Sequence, residues 1–227
     1  MTARRRGAAS NITTEIKDTP VRNRATIPAM NLAVPTPMSL TQFLKWEERQ
    51  ELRYEFDGTR PIAMVGGTRA HAAIQRNLAF ALTGRLRGKP CQFFGSDLKI
   101  KAAENSCRYP DGIVTCTGGE NASTIVSDPV VIFEVLSPST AANDRIVKAR
   151  EYQATPSVQR YVMLEQDSVN AVVYARSGDA WTHEILVADS ILALPEIGVD
   201  LPLAELYEGI AFEAQDRTGQ PPESEPA

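Results

Sequence analysis

Val130-Val131-Ile132-Phe133-Glu134-Val135-Leu136-Ser137-Pro138-Ser139-Thr140 reads as a buried strand that runs directly into a helix. The apolar run has strand length and is rich in β-branched residues, and the hydroxyl residues after it are suited to cap a helix over roughly Ala141 to Ala154. Alternation places Glu134 on the strand face shared by Ile132 and Leu136. An ionised carboxylate on a buried face is costly unless a cation or several hydrogen bonds compensate it. Two readings meet that need: a strand-end glutamate paired with Arg145 or Lys148, or a metal site.

Working outward, the same periodicities give the rest of the order. Ser39 and Gln42 form a capping-box pattern ahead of Leu40, Phe43 and Leu44, which predicts a short helix through about Arg49. Leu52 to Phe56 and Thr59 to Val65 flank Asp57-Gly58 as a hairpin, with Pro61 confining its second strand to an edge. His71, Ile74, Leu78, Leu82 and Leu86 recur every three or four residues, marking a longer helix that ends near Gly88. Strands are predicted at Cys91 to Phe94, Asp97 to Lys101, Arg108 to Cys116, Tyr161 to Glu165, Ala171 to Ala175 and Trp181 to Val187, with a short element at Ala204 to Tyr207. This sequence of elements specifies an α/β fold, a mixed central sheet flanked by helices. Residues 38–212 form the folded domain, residues 1–37 read as a disordered basic tail and linker, and residues 213–227 as a disordered acidic tail.

Composition limits the function classes. The 227 residues carry 24 Lys+Arg against 28 Asp+Glu, a formal charge of −4 that disfavours a broad basic surface for nucleic acid. Residues 1 to 35 carry +4 of local charge, which suits either phosphate contact or a solvated tail. No apolar run approaches the roughly 20 residues that cross a bilayer, so no membrane partner is expected. Arg4, Arg5 and Arg6 are not followed by the apolar stretch of a secretory leader. Cys91, Cys107 and Cys116 are odd in number and lack CxxC spacing, and are expected to be reduced thiols in a cytoplasmic protein.

Asp111 strengthens the metal reading of Glu134. It lies within Arg108 to Cys116, a second predicted strand, and Gly112 beside it would leave space for a close approach. Two carboxylates on neighbouring strands, without a His/Cys cluster, suit a hard cation such as Mg²⁺, with Mn²⁺ as an alternative. Pro110-Asp111-Gly112 is also a common turn sequence, so Asp111 taken singly fits a turn equally well. Asp144, Lys148 and Tyr152 are four residues apart and share one helix face, which brings Lys148 towards the carboxylates or forms a surface ion pair with Asp144.

With Tyr54-Glu55-Phe56-Asp57-Gly58, His71 and Tyr109-Pro110-Asp111, and with the Glu134 to Thr140 run followed by Asp144, Lys148 and Tyr152, the chain resembles the Uma family of restriction-endonuclease-like proteins. That family is a branch of the PD-(D/E)XK nuclease superfamily, and the resemblance covers about Met38 to Ile210. It implies a restriction-endonuclease-like fold and a Mg-dependent endonuclease that hydrolyses DNA. It implies that Asp111 and Glu134 are the metal-binding acidic pair, Glu55 the auxiliary acidic residue and Lys148 the catalytic lysine. His71 matches a histidine recurrent in the family, without an assigned role. Leu136 stands where the usual superfamily lysine would be, and Lys148 on the next helix replaces it. The family's Gly-Val-Pro-Glu-Tyr-Trp segment is Ser157-Val158-Gln159-Arg160-Tyr161-Val162 here, and its downstream aspartate is Glu165. A homodimer would suit cleavage of both strands of a symmetric site. The alternative from another class is a catalytically silent nuclease fold used for nucleic-acid binding or assembly.

Overall fold

The run from Val130 to Leu136 forms an interior strand of the larger sheet, and the elements around it can be followed in chain order. The computed structural model describes residues 37–64, 66–103 and 105–212. Helix α1 (Leu40–Glu47) starts at the predicted capping box, with Ser39 and Gln42 each accepting from the other's backbone N–H. Strands β1 (Tyr54–Phe56) and β2 (Pro61–Ala63) form the expected hairpin. Gly58 takes φ 93° at its turn, while Asp57 Oδ1 accepts from the backbone of Thr59 and Arg60. Helix α2 (Arg69–Leu86) is capped by Thr68. Then come β3 (Gln92–Gly95), β4 (Lys99–Ala102), β5 (Ser106–Arg108), β6 (Gly112–Thr115), β7 (Ile125–Val126) and β8 (Pro129–Leu136).

Beyond β8 the chain forms α3 (Ala141–Asn143), a π-helical turn at Asp144–Lys148, and α4 (Ala149–Ala154). Strands β9 (Arg160–Glu165), β10 (Asn170–Ser177), β11 (Ala180–Val187), β12 (Ile191–Leu194) and β13 (Val199–Pro202) follow, with a 3-10 turn at Leu203–Tyr207. The larger sheet has the order β11-β10-β9-β8-β6-β3 and the smaller β2-β1-β5-β4-β7, with β12-β13 as a separate hairpin. Only β8–β9 is a parallel pair in the larger sheet, because the intervening helix carries the chain back to the same end. Pro61 does sit on an edge strand.

Both faces of β8 are buried, which accounts for its unbroken apolar run. Val131, Phe133 and Val135 pack in one cluster with Ile74, Leu78 and Leu82 of α2. Ile132 and Leu136 pack in another with Ala149, Tyr152, Tyr161 and Met163. Each fully buried Leu, Ile or Val here contributes roughly 1.5–3 kcal/mol. Glu134 faces the second cluster, as alternation requires.

Four readings of the sequence change. Arg108 to Cys116 is not one strand: Tyr109-Pro110-Asp111 interrupts it, leaving β5 in the smaller sheet and β6 in the larger. Pro110 has no N–H to donate to a ladder, so the chain can leave one sheet and enter the other there. Gly112 does not leave room for a ligand, because a Cβ there would lie 2.8 Å from Phe93 and 3.1 Å from Leu78. Its missing side chain admits α2 and β3 packing instead. Cys91 and Cys116 are not reduced thiols but a disulfide, and Cys107 is free and buried. The ladder explains the pair: Gln92 opposes Thr115 across β3 and β6, so the flanking cysteines stand opposite one another although 25 residues separate them. Thr140 does not cap the following helix with its side chain; Ser137 Oγ accepts from Thr140 N instead. The two tails and Val65 lie outside the described residues.

Candidate active site

The antiparallel register sets the acidic pair. Gly112 opposes Phe133 across β6 and β8, so Asp111, just before β6, comes beside Glu134. Asp111 is held on both oxygens: Gln75 Nε2 donates to Oδ1 at 2.5 Å and Val135 N to Oδ2 at 2.7 Å. His71 Nε2, one turn before Gln75 on α2, stands 3.2 Å from the same Oδ2. Burial works against charge on His71, but its hydrogen bond and attraction to Asp111 outweigh this and raise its pKa.

Glu134 and Lys148 form the buried centre. Lys148 Nζ lies 3.0 Å from Glu134 Oε1, 3.1 Å from Glu55 Oε1 and 3.2 Å from Asp144 Oδ1. Tyr152, one helical turn beyond Lys148, donates its hydroxyl to Glu134 Oε1 at 2.8 Å. Lys148 and Asp144 are 6% and 2% exposed, so their i,i+4 pair is a buried interaction and not a surface one. Burial opposes the ammonium, yet the three carboxylates outweigh it and hold Lys148 protonated well above the ordinary lysine range. Glu55 is itself anchored, by Arg108 Nη1 at 3.2 Å and by the backbone N–H of Tyr109 at 3.3 Å. Arg108 also makes a two-pronged contact with Glu151 of α4, at 2.7 Å on each side.

Glu55, Asp111, Glu134 and Lys148, the four residues singled out from sequence, line one cavity of about 440 Å³. His71, Asp144, Ser137, Ser139 and Thr140 line it too. Lys99 on β4 is buried elsewhere against Glu47, which also accepts from Tyr109. Lys101 is exposed. Sequence reasoning missed Gln75 and Arg108. Gln75 had a legible signal, since it follows His71 by four residues on a helix; Arg108 had none, because the break after it was read as strand.

The cavity offers carboxylate oxygens, the donors preferred by hard divalent cations. Among the described residues no three of these side chains already stand together as a ligand group, since the Lys148 ammonium lies among them. Asp144 Oδ1 is nevertheless buried with no hydrogen-bond donor. A buried carboxylate oxygen without a donor calls for a further partner, and the oxygen donors of the cavity fit a divalent ion.

Burial, opposed by Lys148 and reinforced by Asp111, Asp144 and Glu55, raises the Glu134 carboxyl from its ordinary 4.5 to about 8. The folded chain therefore retains a proton that the unfolded chain releases near 4.5. Its stabilising contribution is complete below that pH and is lost as pH rises through about 8. Urea denaturation without divalent ions should show wild type losing stability between pH 5 and pH 9, and Glu134→Gln losing less. A slope unchanged by the substitution would refute the assignment of that proton to Glu134.

Comparison with known proteins adds a family and a fold. Residues 40–204 match the family model described as "Uma2: Putative restriction endonuclease". The "Uncharacterized protein slr1290" of Synechocystis sp. (strain ATCC 27184 / PCC 6803 / Kazusa) is 35% identical over 185 residues, covering 79% of this chain and 97% of its own. A second protein of that organism, "Uncharacterized protein sll1609", is 28% identical over 154 residues, covering 66% and 87% respectively. A crystal structure described as "a putative nuclease belonging to DUF820", from Anabaena variabilis ATCC 29413, matches with a TM-score of 0.60 at 19% identity. It covers 75% of this chain and 98% of its own, and at that identity the likeness is one of fold. The restriction-endonuclease-like α/β fold expected from sequence is the one observed. No helix among the described residues is long and apolar enough to cross a membrane.

Proposed function

The chain belongs to the Uma2 family, and from that premise we propose that it is a metal-dependent endonuclease hydrolysing DNA phosphodiester bonds. The observation that carries this reading is the convergence of Asp111, Glu134, Glu55 and a triply paired Lys148 on one cavity. Asp111 and Glu134 would hold Mg²⁺ or Mn²⁺, with Glu55 beside them against Lys148. A bound ion supplies polarisation of a phosphate oxygen and a lowered pKa for the attacking water.

The remaining work falls to the chain's own side chains. Lys148 is fixed before substrate arrives, because three carboxylates hold its ammonium. A cation preorganised in this way stabilises developing negative charge without reorganising at the moment of reaction. His71 and Gln75 fix the direction of Asp111, leaving it little freedom to turn away. A two-fold dimer would present two such cavities to the two strands of a duplex.

Supercoiled plasmid incubated with purified protein should be nicked or linearised with Mg²⁺ or Mn²⁺ and left intact with EDTA. Mn²⁺ titration should show binding to wild type and none to the Asp111→Asn, Glu134→Gln double variant. Cleavage that persists in EDTA, or equal Mn²⁺ binding by both proteins, would overturn the metal assignment.

A further inference from the structure

The four carboxylates around the cavity are not equivalent. Both oxygens of Asp111 accept hydrogen bonds, and Glu55 is held on one oxygen by Arg108 and on the other by Tyr109 N and Lys148. Glu134 receives Lys148 and Tyr152 on Oε1. Asp144 differs. Its Oδ1 meets the Lys148 ammonium, 3.2 Å away and not aligned for a hydrogen bond, and that atom is buried without a hydrogen-bond donor. Asp144 is 2% exposed and lines the same cavity as the acidic pair.

A buried carboxylate is seldom left without donors unless something else completes it. Even with Glu134 holding its proton, Asp144, Glu55 and Asp111 outnumber the cations that face them, Lys148 and the His71 beside Asp111, and Arg108 is shared between Glu55 and Glu151. A cation answers both the missing donor and the excess charge, whereas a water answers only the first. The π-helical turn at Asp144–Lys148 turns these two residues inward while Arg145, Ile146 and Val147 between them stay exposed, and single π turns recur at functional sites.

We propose that Asp144, a residue outside the acidic pair, is the additional carboxylate ligand of the divalent ion, and that Glu55 acts as the anchor of Lys148 and not as a ligand. The assignment rests on the metal-dependent reading above and deepens it. Asp144 Oδ1 makes no hydrogen bond and has the Lys148 ion pair alone, while the oxygens of Glu55 are engaged by Arg108 and Tyr109 as well as by Lys148.

The test is Mn²⁺ binding by the full chain, measured by calorimetry or by the spin-resonance signal of free Mn²⁺, for wild type, Asp144→Asn and Glu55→Gln. The two substitutions remove the same charge from the same cavity, so a difference between them reports ligation. Loss of even an outer-shell partner typically weakens metal binding by about 10- to 100-fold, so Asp144→Asn should weaken Mn²⁺ by at least about tenfold and Glu55→Gln by much less. Asp144→Cys supplies a second readout that does not depend on how well the amide variant folds. A thiolate ligand favours soft cations, so this variant should gain Cd²⁺ binding with a near-ultraviolet cadmium–thiolate band absent from wild type. Equal losses in both charge-removing variants, a larger loss in Glu55→Gln, or no cadmium–thiolate band in a folded Asp144→Cys would overturn the assignment of Asp144 alone. Failure of wild type to bind Mn²⁺ would overturn the metal-dependent reading together with it.

Discussion

Lys148→Ala should lower the single-turnover rate of DNA cleavage by about 10²- to 10³-fold, the usual effect of removing one preorganised stabilising group. The structure shows why the loss should be large and local. The ammonium is 6% exposed and stands within 3.2 Å of Glu134, Glu55 and Asp144, so no mobile solvent cation or nearby lysine replaces it readily. Lys99 is committed to Glu47 and Lys101 is exposed. Breaking a buried ion pair by deleting one partner also costs roughly 3–5 kcal/mol of stability. Here Glu134 already holds a proton at neutral pH, since its carboxyl is raised to about 8, so the stability loss should fall at the lower end of that range. Lys148→Arg separates the two effects. It retains charge and should recover part of the stability, but a planar fork cannot occupy the point where three carboxylates meet one ammonium, so activity should stay low. Near-normal cleavage by a folded, Mn²⁺-binding Lys148→Ala would remove this residue from the mechanism.

Local pattern carried most of the architecture. The capping box at Ser39, the Asp57-Gly58 turn and the buried run of β8 each appear where the sequence put them, because each depends on residues close together in the chain. Three of the errors share one cause. The Cys91–Cys116 bond, the change of sheet at Pro110 and the closure of Gly112 by Phe93 and Leu78 all depend on register between distant segments. Periodicity does not encode register between segments that far apart. The β12–β13 hairpin was missed too, although Leu192, Leu194, Val199 and Leu201 alternate inward. Its two short strands flank Pro195 to Gly198, whose turn residues masked the alternation. At the site, Glu134 and Lys148 were legible because a charge in an apolar strand and an i,i+4 helix face are local signals. Arg108 was not legible, because its significance lies in touching Glu55 and Glu151 from a third element.

Arg108→Met should destabilise the fold by roughly 3–5 kcal/mol, the range expected when one partner of a buried charge network is removed. Arg108 is 0% exposed, and its guanidinium joins three elements: β5 carries it, Glu151 on α4 takes its two-pronged contact, and Glu55 on β1 takes Nη1. Burial alone would disfavour the charge, but Glu151 and Glu55 outweigh it and keep the group ionised far above any accessible pH. Truncation therefore takes this partner from the buried Glu55 and the half-buried Glu151 together, and because Arg108 stays ionised the loss should remain between pH 6 and pH 9, unlike the contribution of Glu134. For a domain of this size, 1 kcal/mol shifts the melting temperature by about 2–4 °C, so the expected fall is roughly 6–20 °C. Arg108→Lys should recover only part of it, because one ammonium cannot reproduce a fork that meets Glu151 at two points and Glu55 at a third. Adding Glu151→Met to Arg108→Met should cost less than the sum of the two single changes, with a coupling of about 0.5–3 kcal/mol between contacting residues. Chemical denaturation of the two single variants and the double variant measures this directly. A folded Arg108→Met within about 1 kcal/mol of wild type, or strictly additive losses, would show that the network does not hold β1, β5 and α4 together.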